Sequence, residues 1–170
     1  GLNPSEETVQ LIVDWNDLWL VLDRYTDGLR PNTTARALAY IHLAGYETAV
    51  ADMDGYGSTQ GQLQGFNLDL DERANNVDRN LALNTCYALV MDHFMFNVSN
   101  NAKTGIATLE DELADELTEE LSQEEIENSI AWGTLVAESV IAYSQTDTEA
   151  ESQQLDPNPA SYVAPVGEGL

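Results

Sequence analysis

The sequence predicts an all-α fold: a bundle-like array of about five helices, with a long loop after the second and a polar C-terminal tail. Three observations predict it. Apolar residues recur at the helical period in five separate stretches. The last stretch opens on a capping box, Ser122-Gln123-Glu124-Glu125. No stretch alternates apolar and polar residues as a half-buried strand does, and no internal repeat is present. With 170 residues, 43% of them hydrophobic, the chain is long enough to bury one core.

The first helix is expected over 5–29. Ile12, Trp15, Trp19 and Leu22 share a face, Ser5 is a suitable N-cap, and Glu6 and Glu7 suit the positive end of the dipole. Gly28 and Pro31 punctuate its end. The second helix is expected over 33–51. Ala35, Leu38, Ile41, Leu43, Tyr46 and Ala49 lie nearly all round it, which predicts a helix buried on every side. Residues 52–72 are rich in Gly and Gln and read as a loop, long enough to cover a partner surface.

The third helix is expected over 76–98, with Val77, Leu81, Ala88 and Met95 as its stripe. The run 97–103 reads as a break. The fourth helix, 108–121, carries a narrow stripe of Leu109, Leu113, Leu117 and Leu121 among acidic residues. The fifth spans 122–144, with Ile126, Ile130, Gly133, Ala137 and Ile141 on one face. Residues 1–144 therefore read as one helical domain, and 145–170 as an extended polar tail.

Charge excludes several functions. Thirty Asp and Glu face six Lys and Arg, a formal net charge of −24. Nucleic acid and anionic membrane would both be repelled, so neither is an expected partner. No apolar run is long enough to span a bilayer. One cysteine, Cys86, permits no internal disulfide. The chain opens on Gly1 without a signal-peptide pattern, as a mature secreted protein or a trimmed chain does; an extracellular or periplasmic place is the expectation. Asn32-Thr33-Thr34 and Asn97-Val98-Ser99 match the short N-glycosylation pattern.

No residue set spells out a catalytic site. His42 and His93 lack the Glu three residues earlier that a di-iron bundle needs; Ala39 and Val90 stand there. Both read as packed, hydrogen-bonded histidines, His42 inside the buried second helix. Cys86 sits among Leu83, Tyr87 and Ala88 and reads as a small packed hydrophobe. Trp15, Trp19 and Trp132 read as core. The acidic run from Glu110 to Glu127 reads as a solvated face in a protein of a salty habitat; the functional alternatives are a divalent cation or a basic partner. Asp52-Met53-Asp54-Gly55 and Asp69-Leu70-Asp71 hint at calcium loops but lack the Glu an EF-hand carries at its twelfth position.

Several segments resemble the opening of bacterial vanadium-dependent haloperoxidases, of the type-2 phosphatidic acid phosphatase superfamily. They are Asp14-Trp15-Asn16-Asp17-Leu18, Arg30-Pro31, and the run from Ala35-Arg36-Ala37 through His42-Leu43-Ala44-Gly45-Tyr46-Glu47 to Ala49. Ser122 to Ile126, Trp132-Gly133, Ala142-Tyr143-Ser144 with Asp147, and Tyr162 to Gly169 extend the likeness to most of the chain. The resemblance implies a parent enzyme that oxidises halide with hydrogen peroxide on a bound vanadate. It also implies a partner: the C-terminal half of the same protein or a companion chain. A homo-oligomer is expected as well, since a second helix apolar nearly all round needs cover. The family's oxyanion-binding segments have no counterpart here. The only lysine is Lys103, and Glu110, not Arg-Pro, stands seven residues on; Pro-Ser-Gly-His and a Ser-Arg pair are both absent. No catalytic, cofactor-binding or metal residue is carried over, no cofactor is expected in this segment, and the segment alone is expected to be inactive. The alternative reading is a structural subunit of an extracellular assembly or filament, using the helices without catalysis.

Overall fold

The computed structural model describes residues 6–26, 31–156, 161 and 163. The protein is all helical: α1 (Glu6–Arg24), α2 (Pro31–Val50), α3 (Arg79–Phe94), α4 (Asn100–Leu117), α5 (Gln123–Ser144) and α6 (Thr148–Leu155), with one 3-10 turn at Leu70–Glu72. Among the described residues this is one helix more than the five expected. α1 ends at Arg24, with Tyr25 already in a turn, short of the expected end at Leu29. The Ser5 cap and most of the segment from Tyr162 lie outside the described residues.

α1 buries Trp15, Trp19 and Leu22 of the expected face, and Leu11 rather than Ile12, which is half-buried. α2 starts at Pro31, two residues before the expected position. Proline suits a first helical turn, whose N–H needs no partner, so Pro31 opens α2 as well as closing the preceding turn.

The central helix is α3, not α2. Every residue of α3 from Leu81 to Ala88 is buried, and α1, α2, α4 and α5 all pack on it. α2 is covered on one side only: Ala37, Ile41, Ala44 and Gly45 are buried, whereas Ala35, Ala39 and His42 are exposed. Alanine at a position carries little burial energy either way, so an alanine-rich circumference is compatible with a half-exposed helix.

Caps fix the remaining boundaries. The Asp78 carboxylate accepts the Leu81 N–H (2.8 Å) and starts α3 at Arg79 rather than 76. α3 stops at Phe94, four residues short of the expected end, though Met95 and Val98 stay buried beyond it. Ser99 accepts the Ala102 N–H (3.3 Å), so α4 begins at Asn100 and the expected break at 97–103 shrinks to a short turn. The capping box before α5 is present in both directions: Ser122 Oγ accepts the Glu125 N–H (3.3 Å), and Glu125 Oε2 accepts the Ser122 N–H (2.9 Å). Asp147 caps α6 through the Ala150 N–H (3.2 Å), which corrects the expected extended tail over 148–155.

Two buried tryptophan N–H groups lock helices together. Trp15 Nε1 donates to Asn84 Oδ1 (3.1 Å), and Asn84 Nδ2 donates to the Glu110 carbonyl (2.8 Å), linking α1, α3 and α4. Trp132 Nε1 donates to the Thr48 carbonyl (3.1 Å), linking α5 to α2. These satisfied groups make the tryptophans core residues, as their positions in the sequence predict. α5 comes close to α3 at Gly133, where an added Cβ would overlap the Ala82 carbonyl oxygen.

The loop between α2 and α3 covers its own helices. Phe66 and Leu68 are buried in the core. Glu47, fully buried on α2, accepts hydrogen bonds from Ser58 Oγ (2.6 Å), Thr59 N (2.7 Å) and Thr59 Oγ1 (2.6 Å). Tyr46 Oη donates to the Gly57 carbonyl (2.8 Å). The turns between use positive φ at Gly55, Gly61 and Gly65, where a side chain would be strained.

Candidate functional site

The two histidines serve different places. His42 is exposed on the outer side of α2, which corrects its expected place inside a buried helix. His93 is half-buried near the end of α3, edge-on to Phe94 at 4.8 Å. Its Nε2 is buried without a hydrogen-bond partner, unlike the bonded histidine expected. Burial is the main force lowering its pKa; Glu151 opposes the shift and Arg36 adds to it. Among the described residues, no three His, Cys, Asp or Glu side chains form a group that could hold a metal ion.

Cys86 is fully buried on α3. Burial raises its thiol from an ordinary 9.0 to about 12, against a smaller opposing hydrogen bond with Thr48. Two consequences are expected. The native thiol should react with an alkylating reagent roughly a thousandfold more slowly than the urea-unfolded one, since thiolate is the reactive form. Above pH 9 the unfolded chain loses this proton while the folded chain keeps it. The unfolded state then binds fewer protons, so stability falls as pH rises, by about 1.4 kcal/mol per unit up to about 12. Alkylation rates and urea melts at pH 8, 9 and 10 check both.

The calcium-like runs have other work. Asp52 faces Arg73 through both carboxylate oxygens (2.7 and 2.8 Å) and Arg79 Nε at 3.9 Å, and Arg73 lies over the Trp132 ring at 5.7 Å. Asp69 caps the 3-10 turn by accepting the Asp71 N–H (3.1 Å).

A second cluster went unseen in the sequence. Arg36 Nη2 donates to the Ser144 carbonyl (2.7 Å) and to Glu151 Oε2 (3.0 Å), and its guanidinium lies over the Tyr40 ring at 5.2 Å. Tyr40 stacks on Phe94 and meets Tyr143 edge-on. This cluster ties α2 to the end of α5 and to α6. The Glu151 that completes it sits in a stretch with no apolar period, which hides the link from sequence reading.

A cleft of about 500 Å³ lies between the first half of α1 and the end of α4. Leu11, Leu113, Leu117 and Leu121 line it, and the carboxylate residues Glu7, Asp14, Asp78, Glu116, Glu119 and Glu120 surround them. It gathers part of the acidic run with two acidic residues of α1. No Lys, Arg or His lines it. The ion-paired cations are elsewhere: Arg36 with Glu151, Arg73 and Arg79 with Asp52, and Lys103 with Asp92 at 2.7 Å.

No described helix is long and apolar enough to cross a membrane. Compared with family models, curated proteins and solved structures, the chain matches none.

Proposed function

We propose that this chain is a helical supporting module, the non-catalytic N-terminal part of a vanadium-dependent haloperoxidase-like protein. One observation carries the non-catalytic half of the reading. An oxyanion with two or three negative charges needs several positive donors converging on it. Here Arg36, Arg73, Arg79 and Lys103 are each engaged by a carboxylate, at three separate places in the fold.

The parent family is supported by the resembling run on α2. Its residues do structural work: Arg36 holds α6, Ala37 and Ala44 pack inward, and Glu47 holds the long loop. Such residues suit a module that walls and braces a pocket built by another segment. In the parent, vanadate would be bound by that other segment, as a C-terminal half or a companion chain.

Intact-mass measurement of native material under denaturing conditions tests the reading. A longer polypeptide, or a companion chain carrying a Pro-Ser-Gly-His segment, is expected. A single species at 18.7 kDa overturns it. Halide oxidation by these residues alone, with vanadate and peroxide supplied, would overturn it as well.

The alternative is a structural subunit of an extracellular assembly. A specific feature favours it: Val9, Val13 and Leu20 lie on the side of α1 away from the core and are 49%, 41% and 61% exposed.

A further inference from the structure

We propose that the cleft between α1 and α4 docks a basic amphipathic segment of a partner protein, with apolar side chains on its leucine floor and Lys or Arg on its rim. The inference stands apart from the haloperoxidase reading, because it concerns a surface that reading leaves unused.

The floor gives the partner's apolar side a place. Leu113, Leu117 and Leu121 are only half-buried, although with Leu109 they form the apolar stripe of an otherwise acidic stretch. Burying the rest of these side chains under a partner is favourable in proportion to the area covered. A volume of about 500 Å³ has room for the side chains of roughly one helical turn and far exceeds what a single ion needs.

The rim selects the sign of that partner. Glu116, Glu119 and Glu120 are exposed at the end of α4, and Glu7 and Asp14 face them from α1. Among the described residues none of these five is in an ion pair. Like charges gathered around an apolar floor repel one another, and a cationic segment relieves that repulsion while covering the leucines. An acidic or neutral apolar segment, including a second copy of this chain, leaves the repulsion in place. Peptide recognition by a helix laid in a groove uses this combination of apolar anchors and flanking charges.

The test uses a synthetic 14-residue helical peptide with leucines on one face and lysines on its flanks, and a second peptide with serine in place of each leucine. Binding to the full chain is read by fluorescence anisotropy at about 0.1 M salt. Two triple variants of equal charge change separate the cleft from the general acidity of the surface. Glu116→Gln/Glu119→Gln/Glu120→Gln alters the rim. Asp54→Asn/Asp71→Asn/Glu72→Gln alters exposed acids of the long loop. All six side chains are exposed, so both variants should keep the fold. The rim variant is expected to bind at least tenfold more weakly and the loop variant within about twofold of the parent. Leu117→Ala should weaken binding about fivefold, and the serine peptide should bind as weakly as the rim variant binds the leucine peptide. In the parent chain, amide shifts on adding the leucine peptide should concentrate in α1 and α4. Equal losses in the two triple variants, equal binding of the two peptides, shifts centred elsewhere, or no binding would each overturn the proposal.

Discussion

Replacing Gly133 by alanine should lower the melting temperature by roughly 10 °C, although alanine is the better helix former. The intrinsic gain is about 1 kcal/mol. Against it stands the overlap of the new Cβ with the Ala82 carbonyl oxygen, and a contact with Thr85 Cβ at 3.1 Å. Both belong to α3, and a backbone carbonyl cannot swing aside as a side chain can. α5 must move off α3 along the largest packing surface in the molecule, a strain at or above the upper end of overpacking costs. A net loss of about 3 kcal/mol follows, which in a chain of this size gives that shift in Tm. Gly45→Ala is the comparison. There the new Cβ would meet the hydroxyl end of Tyr87, a side chain able to tilt, so the loss should be clearly smaller. Thermal melts of both variants decide; equal losses would mean that α5 can retreat from α3 at little cost.

Glu47→Ala should cost about 3 kcal/mol and also release the long loop. The carboxylate, on a fully buried side chain, is the acceptor for three donors of half-buried Ser58 and Thr59. Hydroxyls can turn to other acceptors, but the Thr59 N–H is fixed by the backbone and is left unsatisfied. Glu47→Gln should cost only about 1 kcal/mol. Its oxygen can face the Thr59 N–H, and its NH2 can donate to the Ser58 hydroxyl, which accepts as well as donates. Limited proteolysis adds a local readout: the alanine variant should be cut within 52–78 well before the parent, the glutamine variant barely faster. Equal behaviour of the two would assign Glu47 to simple space filling.

The α-helical class was legible because stripes such as Trp15–Trp19–Leu22 have only one geometry that buries them together. Caps were legible where side-chain chemistry is local, as at Ser122. The central position of α3 was harder to read. Its burial depends on which neighbours surround it, and Asn84 and Thr85 break the apolar ring that would have announced it. α2, richer in alanine, imitated that ring. α6 escaped because eight residues with Ala150 and Leu155 as their apolar members carry no period. Of the candidate sites, the acidic run was visible as composition, but its union with α1 across a leucine floor exists only in three dimensions. Glu47 left a faint signal: a lone carboxylate among Ala44, Gly45 and Thr48, on the side of α2 where small residues let backbones approach.

The placement of α3 has a consequence for how the chain is made. During synthesis α1 and α2 leave the ribosome first, yet the helix on which both pack ends only at Phe94. Until then Trp15, Trp19 and Ile41 have no lasting shelter, and the nascent chain must avoid sticking to its neighbours. Its abundant carboxylates give it a means: emerging chains of the same strong sign repel one another while the half-built core waits for its centre.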